Sequence, residues 1–228
     1  MNGYHLRLAF LWLVSVGVGC TSAPVHYYTL AAPPDRTLPA SQTTFAIDVR
    51  VVHTPPQLNR SELMVRTGPT EVTLLENERW ASPMNDEIKE AVRLELQRRL
   101  SPMTGWHPDF TKLTLDIDVH QLEAELGRYA LFEASWRATL SSTVRRSAGA
   151  RVTTCTFRAD EKIQPGYAGM VEGYQRQIAA LADGIVAALT SQSGGIDQAS
   201  GIDAPCQQSI SGSAGGSSEK DQGSPTRG

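Results

Sequence analysis

The chain has 228 residues, with 21 Lys and Arg against 24 Asp and Glu, a formal net charge of −3, and no basic block. That balance argues against nucleic acid as a partner, because binding a phosphate backbone calls for a basic patch or stripe. The length suits one ordinary domain or one domain with tails.

The first feature in chain order decides the compartment. Arg7 and His5 give a short basic start, and residues 8–18 form an apolar run of 11 residues interrupted only by Ser15 and Gly17. A helix crossing the bilayer core needs about 20 apolar residues, whereas the apolar part of a secretory signal needs roughly 7–15 and ends in small residues. Gly17-Val18-Gly19 then meets Cys20, the small-residue run before a cysteine that bacterial lipoprotein processing uses. Cys20 is therefore the expected site of a thioether to diacylglycerol. Thr21 rather than Asp follows it, so the anchored protein is expected at the outer membrane. Two or more acyl chains hold stably where one does not, at about 0.8 kcal/mol per buried methylene. Without residues 1–19 the chain is 209 residues long, with 20 basic against 24 acidic side chains.

Residues 21–44 hold Pro24, Pro33, Pro34 and Pro39 among small and polar residues, which reads as a tether with one short strand at residues 26–30, where Tyr27 and Tyr28 favour a pleated surface. Phe45, Ile47, Val49 and Val51 alternate with Asp48 and Arg50, a strand with one wet face that Pro55-Pro56 ends. Two β-rich runs, residues 63–66 and 71–75, flank Thr67-Gly68-Pro69-Thr70 and predict a hairpin.

Ser82 is the expected N-cap of a helix and Pro83 its first residue, with Asp86 and Glu87 at the positive end. Ile88, Ala91, Val92, Leu96 and Leu100 recur at spacings of three and four, and Pro102 follows. The clearest strand comes next: Leu113, Leu115, Ile117 and Val119 alternate with Thr114, Asp116, Asp118 and His120. Beyond His120 the apolar positions shift to Leu122, Ala124 and Leu126. A phase slip of one residue predicts a β-bulge at His120-Gln121.

A turn near Gly127, a strand over residues 130–140, a turn at Ser147-Ala148-Gly149 and a strand over residues 151–158 continue the pattern, with Thr153, Cys155 and Phe157 on one face. After Pro165-Gly166, the stripe Tyr167, Met170, Val171, Tyr174, Ile178, Leu181, Ile185 and Leu189 predicts a long amphipathic helix. Residues 191–228 contain 17 Ser or Gly and no aromatic, a composition expected to stay disordered.

Besides Cys20, Cys155 falls in a strand and Cys206 in that tail, so no structural disulfide is expected. The order β-β-β-β-α-β-β-β-α predicts an α+β two-layer domain over residues 45–190, a mainly antiparallel sheet covered by two helices.

No metalloprotease helix, Cys-x-x-Cys pair, nucleophile elbow or phosphate loop occurs in the sequence. Asp116, Asp118 and His120 share one strand face and are donors a metal accepts, but Thr114 and Glu123 extend the same polar surface, so a solvated face is the preferred reading. Glu76, Glu78, Asp86 and Glu87 resemble acid–base carboxylates, of which Asp86 and Glu87 are already explained by the helix dipole. The expectation is a non-catalytic chain with no cofactor and no metal. Trp80 either plugs the core or joins Arg79 in an exposed contact.

Arg79-Trp80-Ala81-Ser82-Pro83-Met84, followed by Ile88 and Leu96, resembles the PqiC-type lipoproteins, also called ABC-type transport auxiliary lipoproteins. Cys20, the Tyr27-Tyr28-Thr29-Leu30 strand and the Tyr167-Ala168-Gly169-Met170-Val171 helix entry occur in the family's order, and the resemblance spans residues 27–189. It implies an outer-membrane component of an MCE-type system, in which an inner-membrane complex and a periplasm-spanning tunnel move lipids or other hydrophobic molecules. Its implied partners are the MCE-domain tunnel protein, the outer membrane through the lipid, and further copies in a ring. Arg79, Trp80 and exposed sheet edges are where the partner contact is expected. The alternatives are a lipid-anchored periplasmic hydrolase and a structural envelope lipoprotein.

Overall fold

The computed structural model describes residues 23–32, 44–102, 110–142, 150–190 and 206–211. The leader, Cys20, Pro33, Pro34, Pro39 and the expected turn at residues 147–149 lie outside them.

Among the described residues nine strands and two helices succeed one another: β1 (His26–Tyr28), β2 (Thr44–His53), β3 (Glu62–Arg66), β4 (Val72–Trp80), α1 (Met84–Arg99), β5 (Ser101–Pro102), β6 (Thr111–Glu125), β7 (Tyr129–Ser142), β8 (Ala150–Lys162), α2 (Gly166–Thr190) and β9 (Gln207–Ser211). The class is α+β with two helices. Where one mainly antiparallel sheet was expected, the strands form two mixed sheets, ordered β5-β2-β6-β7-β8-β9 and β1-β4-β3, in which the longest pairings, β6 with β7 and β7 with β8, are antiparallel. Among the described strands, β2 pairs in parallel with β5 and β6, and β1 with β4. Parallel neighbours need a crossover of a dozen residues or more, and between β2 and β6 it is supplied by β3, β4 and α1.

The long meander is where alternation shows most plainly. Leu113, Leu115, Ile117 and Val119 of β6 are buried, the register slips between Val119 and Gln121, and Leu122 and Ala124 then take over the inward face. The bulge sits where the apolar phase changes in sequence. Gly127 makes the β6–β7 turn at φ 72°, a left-handed conformation that glycine adopts without steric cost. Thr153, Cys155 and Phe157 are all buried on β8.

In β2 the expected face is only half right. An irregularity between Val49 and Val51 makes Arg50 the extra residue, so Val49 and Val52 are buried and Val51 is only partly covered.

Both helices pack on the large sheet and on each other, α1 over β2 and α2 over β7 and β8. Every member of the predicted α2 stripe except Tyr167 is buried. The first turn of α2 lies so close to the preceding loop that a Cβ on Gly169 would stand 2.3 Å from the Gln164 carbonyl oxygen. That approach allows no side chain at all.

The start of α1 differs from the expected cap. Met84 is the first helical residue, and the Pro83 carbonyl accepts from Asp86 N (2.9 Å) and Glu87 N (3.0 Å), so Pro83 occupies the N-cap position. Ser82 instead gives its own N–H and hydroxyl to Glu87 Oε1, at 3.0 and 2.8 Å.

A second correction concerns the tail. Cys155 and Cys206 form a disulfide, and Gln207–Ser211 adds to the edge of β8 from Thr154↔Gln207 to Ala150↔Ser211. The composition of residues 191–228 argues for disorder on average, but a five-residue strand next to a covalent staple needs little apolar surface of its own. An oxidising compartment permits the bond.

Candidate functional site

The N-terminal segment is built into the domain. His26, Tyr27 and Tyr28 run parallel to Glu78, Arg79 and Trp80, and two carboxylates fasten residues 26–30. Glu78 accepts from the Tyr28 hydroxyl at 2.7 Å and bonds His26 Nδ1 at 2.9 Å. Glu87, only 5% exposed, receives the Thr29 hydroxyl at 2.9 Å and the Leu30 N–H at 2.8 Å on Oε2, while Oε1 holds Ser82. A carboxylate with four donors, set in the first turn of α1 where the helix end is positive, compensates its own burial. Leu30 beyond it is 1% exposed. Gln175 of α2 donates to the Thr29 carbonyl at 3.0 Å and Arg98 to the Ala32 carbonyl, so this segment touches β4, α1 and α2.

These contacts shift the groups involved. Hydrogen bonds from His26 and Tyr28 hold Glu78 below the usual carboxylate range against its partial burial. Burial and then the hydrogen bond to Glu78 push the Tyr28 hydroxyl up to about 12. A carboxylate whose folded value is depressed contributes stability above its ordinary value of 4.5, and loses that contribution as pH falls through the folded value. Docking of residues 26–28 is accordingly expected to loosen below pH 4.5. Hydrogen exchange of Tyr27 and Tyr28 amides measured down to about pH 3 checks this; equal loosening in a Glu78→Gln variant would remove Glu78 as the cause.

Trp80 belongs to the core. It is 5% exposed, with its ring 6.5 Å from that of Tyr174. Of the two roles weighed for it, the structure gives the core plug. Arg79 faces outward, its side chain 37% exposed, 3.7 Å from Glu62 and donating from Nε to the Glu76 carbonyl at 3.0 Å. The two predicted contact residues thus lie on opposite faces of β4.

Between the loop at residues 55–61, Met64 and Trp80 lies a recess with about 20 Å³ of water-sized space, enough for about one water molecule. It is far smaller than a ligand pocket, which is roughly 300–1,000 Å³.

The Asp116, Asp118, His120 face carries ion pairs and hydrogen bonds. Arg50 Nε donates to Asp116 at 2.9 Å, Lys112 lies 3.3 Å from Asp48, and His120 Nε2 bonds the Ser135 hydroxyl at 3.0 Å. Among the described residues no three His, Cys, Asp or Glu side chains gather as a metal would require.

Where β3 meets β6, Arg66 reaches Glu123 at 2.7 Å and the Tyr129 hydroxyl donates to Glu123 at 2.8 Å. Burial alone raises Glu123, but these hydrogen bonds outweigh it and leave the carboxyl below its usual range. At the far end of α1, the buried Glu95 takes Arg98 and Arg99, and Arg99 continues to Asp183 of α2. Both clusters join elements of the fold to one another.

The sequence pattern of the ABC-type transport auxiliary lipoprotein component matches residues 28–186. The chain belongs to this family. The auxiliary lipoprotein shares its fold with a crystal structure described as an uncharacterized protein, at 16% identity and a TM-score of 0.52 over 74% of this chain and all of that one. A second crystal structure, of a DUF330 protein from Xanthomonas campestris, aligns at 16% identity and a TM-score of 0.45 over 71% of this chain and 92% of that one. No curated protein matches. The family assignment fits a membrane-associated chain whose described helices are all too short or too polar to cross a bilayer.

Proposed function

We propose that this auxiliary lipoprotein is a non-catalytic component of an MCE-type intermembrane lipid transport system. It is held at the periplasmic face of the outer membrane by acylated Cys20, and its domain docks the tip of the periplasm-spanning tunnel. The observation that carries this reading is the family match over residues 28–186, together with a signal-like leader ending in Cys20 directly before the matched region. We place the tunnel contact around Arg79 and the strand edges, with Trp80 holding β4 from beneath. Several copies in a ring match a tubular partner.

Crosslinking in intact cells, followed by purification of the auxiliary lipoprotein from detergent-solubilised outer membranes, tests the reading. An MCE-domain protein should be recovered with it, and Arg79→Glu should reduce that recovery. Failure to recover any such protein, with the lipoprotein itself abundant in the outer-membrane fraction, would overturn the docking role.

A further inference from the structure

Only Thr21, Ser22, Ala23 and Pro24 separate Cys20 from Val25, and β1 begins at His26. Five Cα-to-Cα steps span at most about 18 Å when fully extended, against a headgroup layer of roughly 5–7 Å on each side of the hydrocarbon core. The segment after that is not free to release more chain. Its strand register with β4, the bonds to Glu78 and Glu87, and the buried Leu30 fix it to the domain. A lipid on Cys20 therefore holds the β1 edge of the three-stranded sheet close to the bilayer, on a leash far shorter than residues 21–44 suggest.

The three-stranded sheet is also where the domain is apolar outside. Among the described residues the exposed large apolar side chains are Val25 (44% exposed), Tyr27 (64%), Val72 (50%) and Leu74 (43%). Val25 and Tyr27 are at β1, and Val72 and Leu74 are in the central strand of the same sheet. None is on a helix or on the six-stranded sheet. Tyr27 stands opposite Arg79 while its neighbour Tyr28 stands opposite the buried Trp80, so Tyr27 takes the outward face of β1. A tyrosine with an apolar ring and a polar tip suits the water–hydrocarbon interface.

We propose that the three-stranded sheet lies against the lipid surface by its β1 edge, with Val25 and Tyr27 in the headgroup layer of the membrane that holds Cys20. This rests on acylation of Cys20 as proposed above. The occupant is lipid rather than a second protein because the leash leaves the bilayer as the surface this edge cannot leave. The domain is thus oriented as well as anchored, which turns its opposite end toward the periplasm.

The test uses the full-length acylated chain in phosphatidylethanolamine–phosphatidylglycerol vesicles containing a lipid with a nitroxide on its headgroup. With Cys20 acylated and Cys155 bridged to Cys206, Tyr27→Cys introduces the reactive thiol for an environment-sensitive fluorophore. Thr156→Cys, exposed on the outward face of β8, is the control. Insertion to the headgroup depth typical of interfacial segments should quench the label at position 27 by roughly threefold more than the label at position 156. Equal quenching in a chain whose intact mass shows the acyl groups overturns the orientation and leaves the anchored lipoprotein standing. An intact mass without acyl groups overturns both. A label at position 27 that is shielded only after a protein extract is added, with no lipid quenching, assigns the edge to a protein partner and also overturns the inference.

Discussion

Replacing Glu87 with alanine is expected to release residues 23–32 from the domain while the rest of the fold persists. The Glu87 carboxylate takes the Thr29 hydroxyl, the Leu30 N–H, and the Ser82 N–H and hydroxyl. Removing an acceptor leaves each buried donor short by about 1–3 kcal/mol. The Leu30 donor is buried and has little access to water, so the variant should lose about 3 kcal/mol of docking stability, shared among donors that can partly rehydrate. Undocking also brings Leu30, now 1% exposed, into solvent. Limited proteolysis should cleave within residues 23–32 of Glu87→Ala at rates at which the parent resists. A milder effect is expected for Glu87→Gln, whose carbonyl still accepts. Unchanged protection of the Leu30 amide in Glu87→Ala would show that strand pairing with β4 alone holds the segment.

The second large effect is expected at the disulfide. Cys155 and Cys206 are 51 residues apart, and the chain-entropy relation for a loop of that size gives about 4 kcal/mol. Cys206→Ser should therefore lower the melting temperature by roughly 10 °C for a domain of this length. The loss of pairing between β8 and β9 should appear as faster exchange at Thr154 and Val152, which face Gln207 and Ser209 in the register. Calorimetry of the oxidised parent, the reduced parent and Cys206→Ser checks this. Coincident melting of all three would mean that the tail contributes nothing to the fold.

Legibility in the sequence depends on the range over which each signal acts. Alternation in β6 and β7, the slip at His120-Gln121 and the stripe of α2 are local patterns, and the structure has them where the residues put them. The bulge at Arg50 was hidden because Val51 and Val52 are both apolar, so either phase of β2 satisfies the alternation. Parallel pairing of β2 with β6 is a fact about distant segments, and hairpin logic sees only neighbours. The role of Glu87 was masked by a sufficient simpler reason, since a carboxylate in the first turn of a helix is explained by the dipole. Its four donors come from residues 29, 30 and 82, and nothing local points to them.

The disulfide shows the opposite failure. Composition averaged over residues 191–228 diluted the five residues that pair with β8, and the presence of a second cysteine, Cys206, able to partner Cys155 was the signal that could have outweighed it. Gly169 was visible as part of a motif, but its reason, the Gln164 carbonyl standing where a Cβ would go, needed coordinates.

The placement of β1 also sets an order of events. A chain is made from its amino terminus, yet Glu78, to which Tyr28 donates, comes 50 residues later. Until that partner emerges, residues 26–28 have no strand to pair with. The topology thus makes the closing of β1 onto the domain a late step.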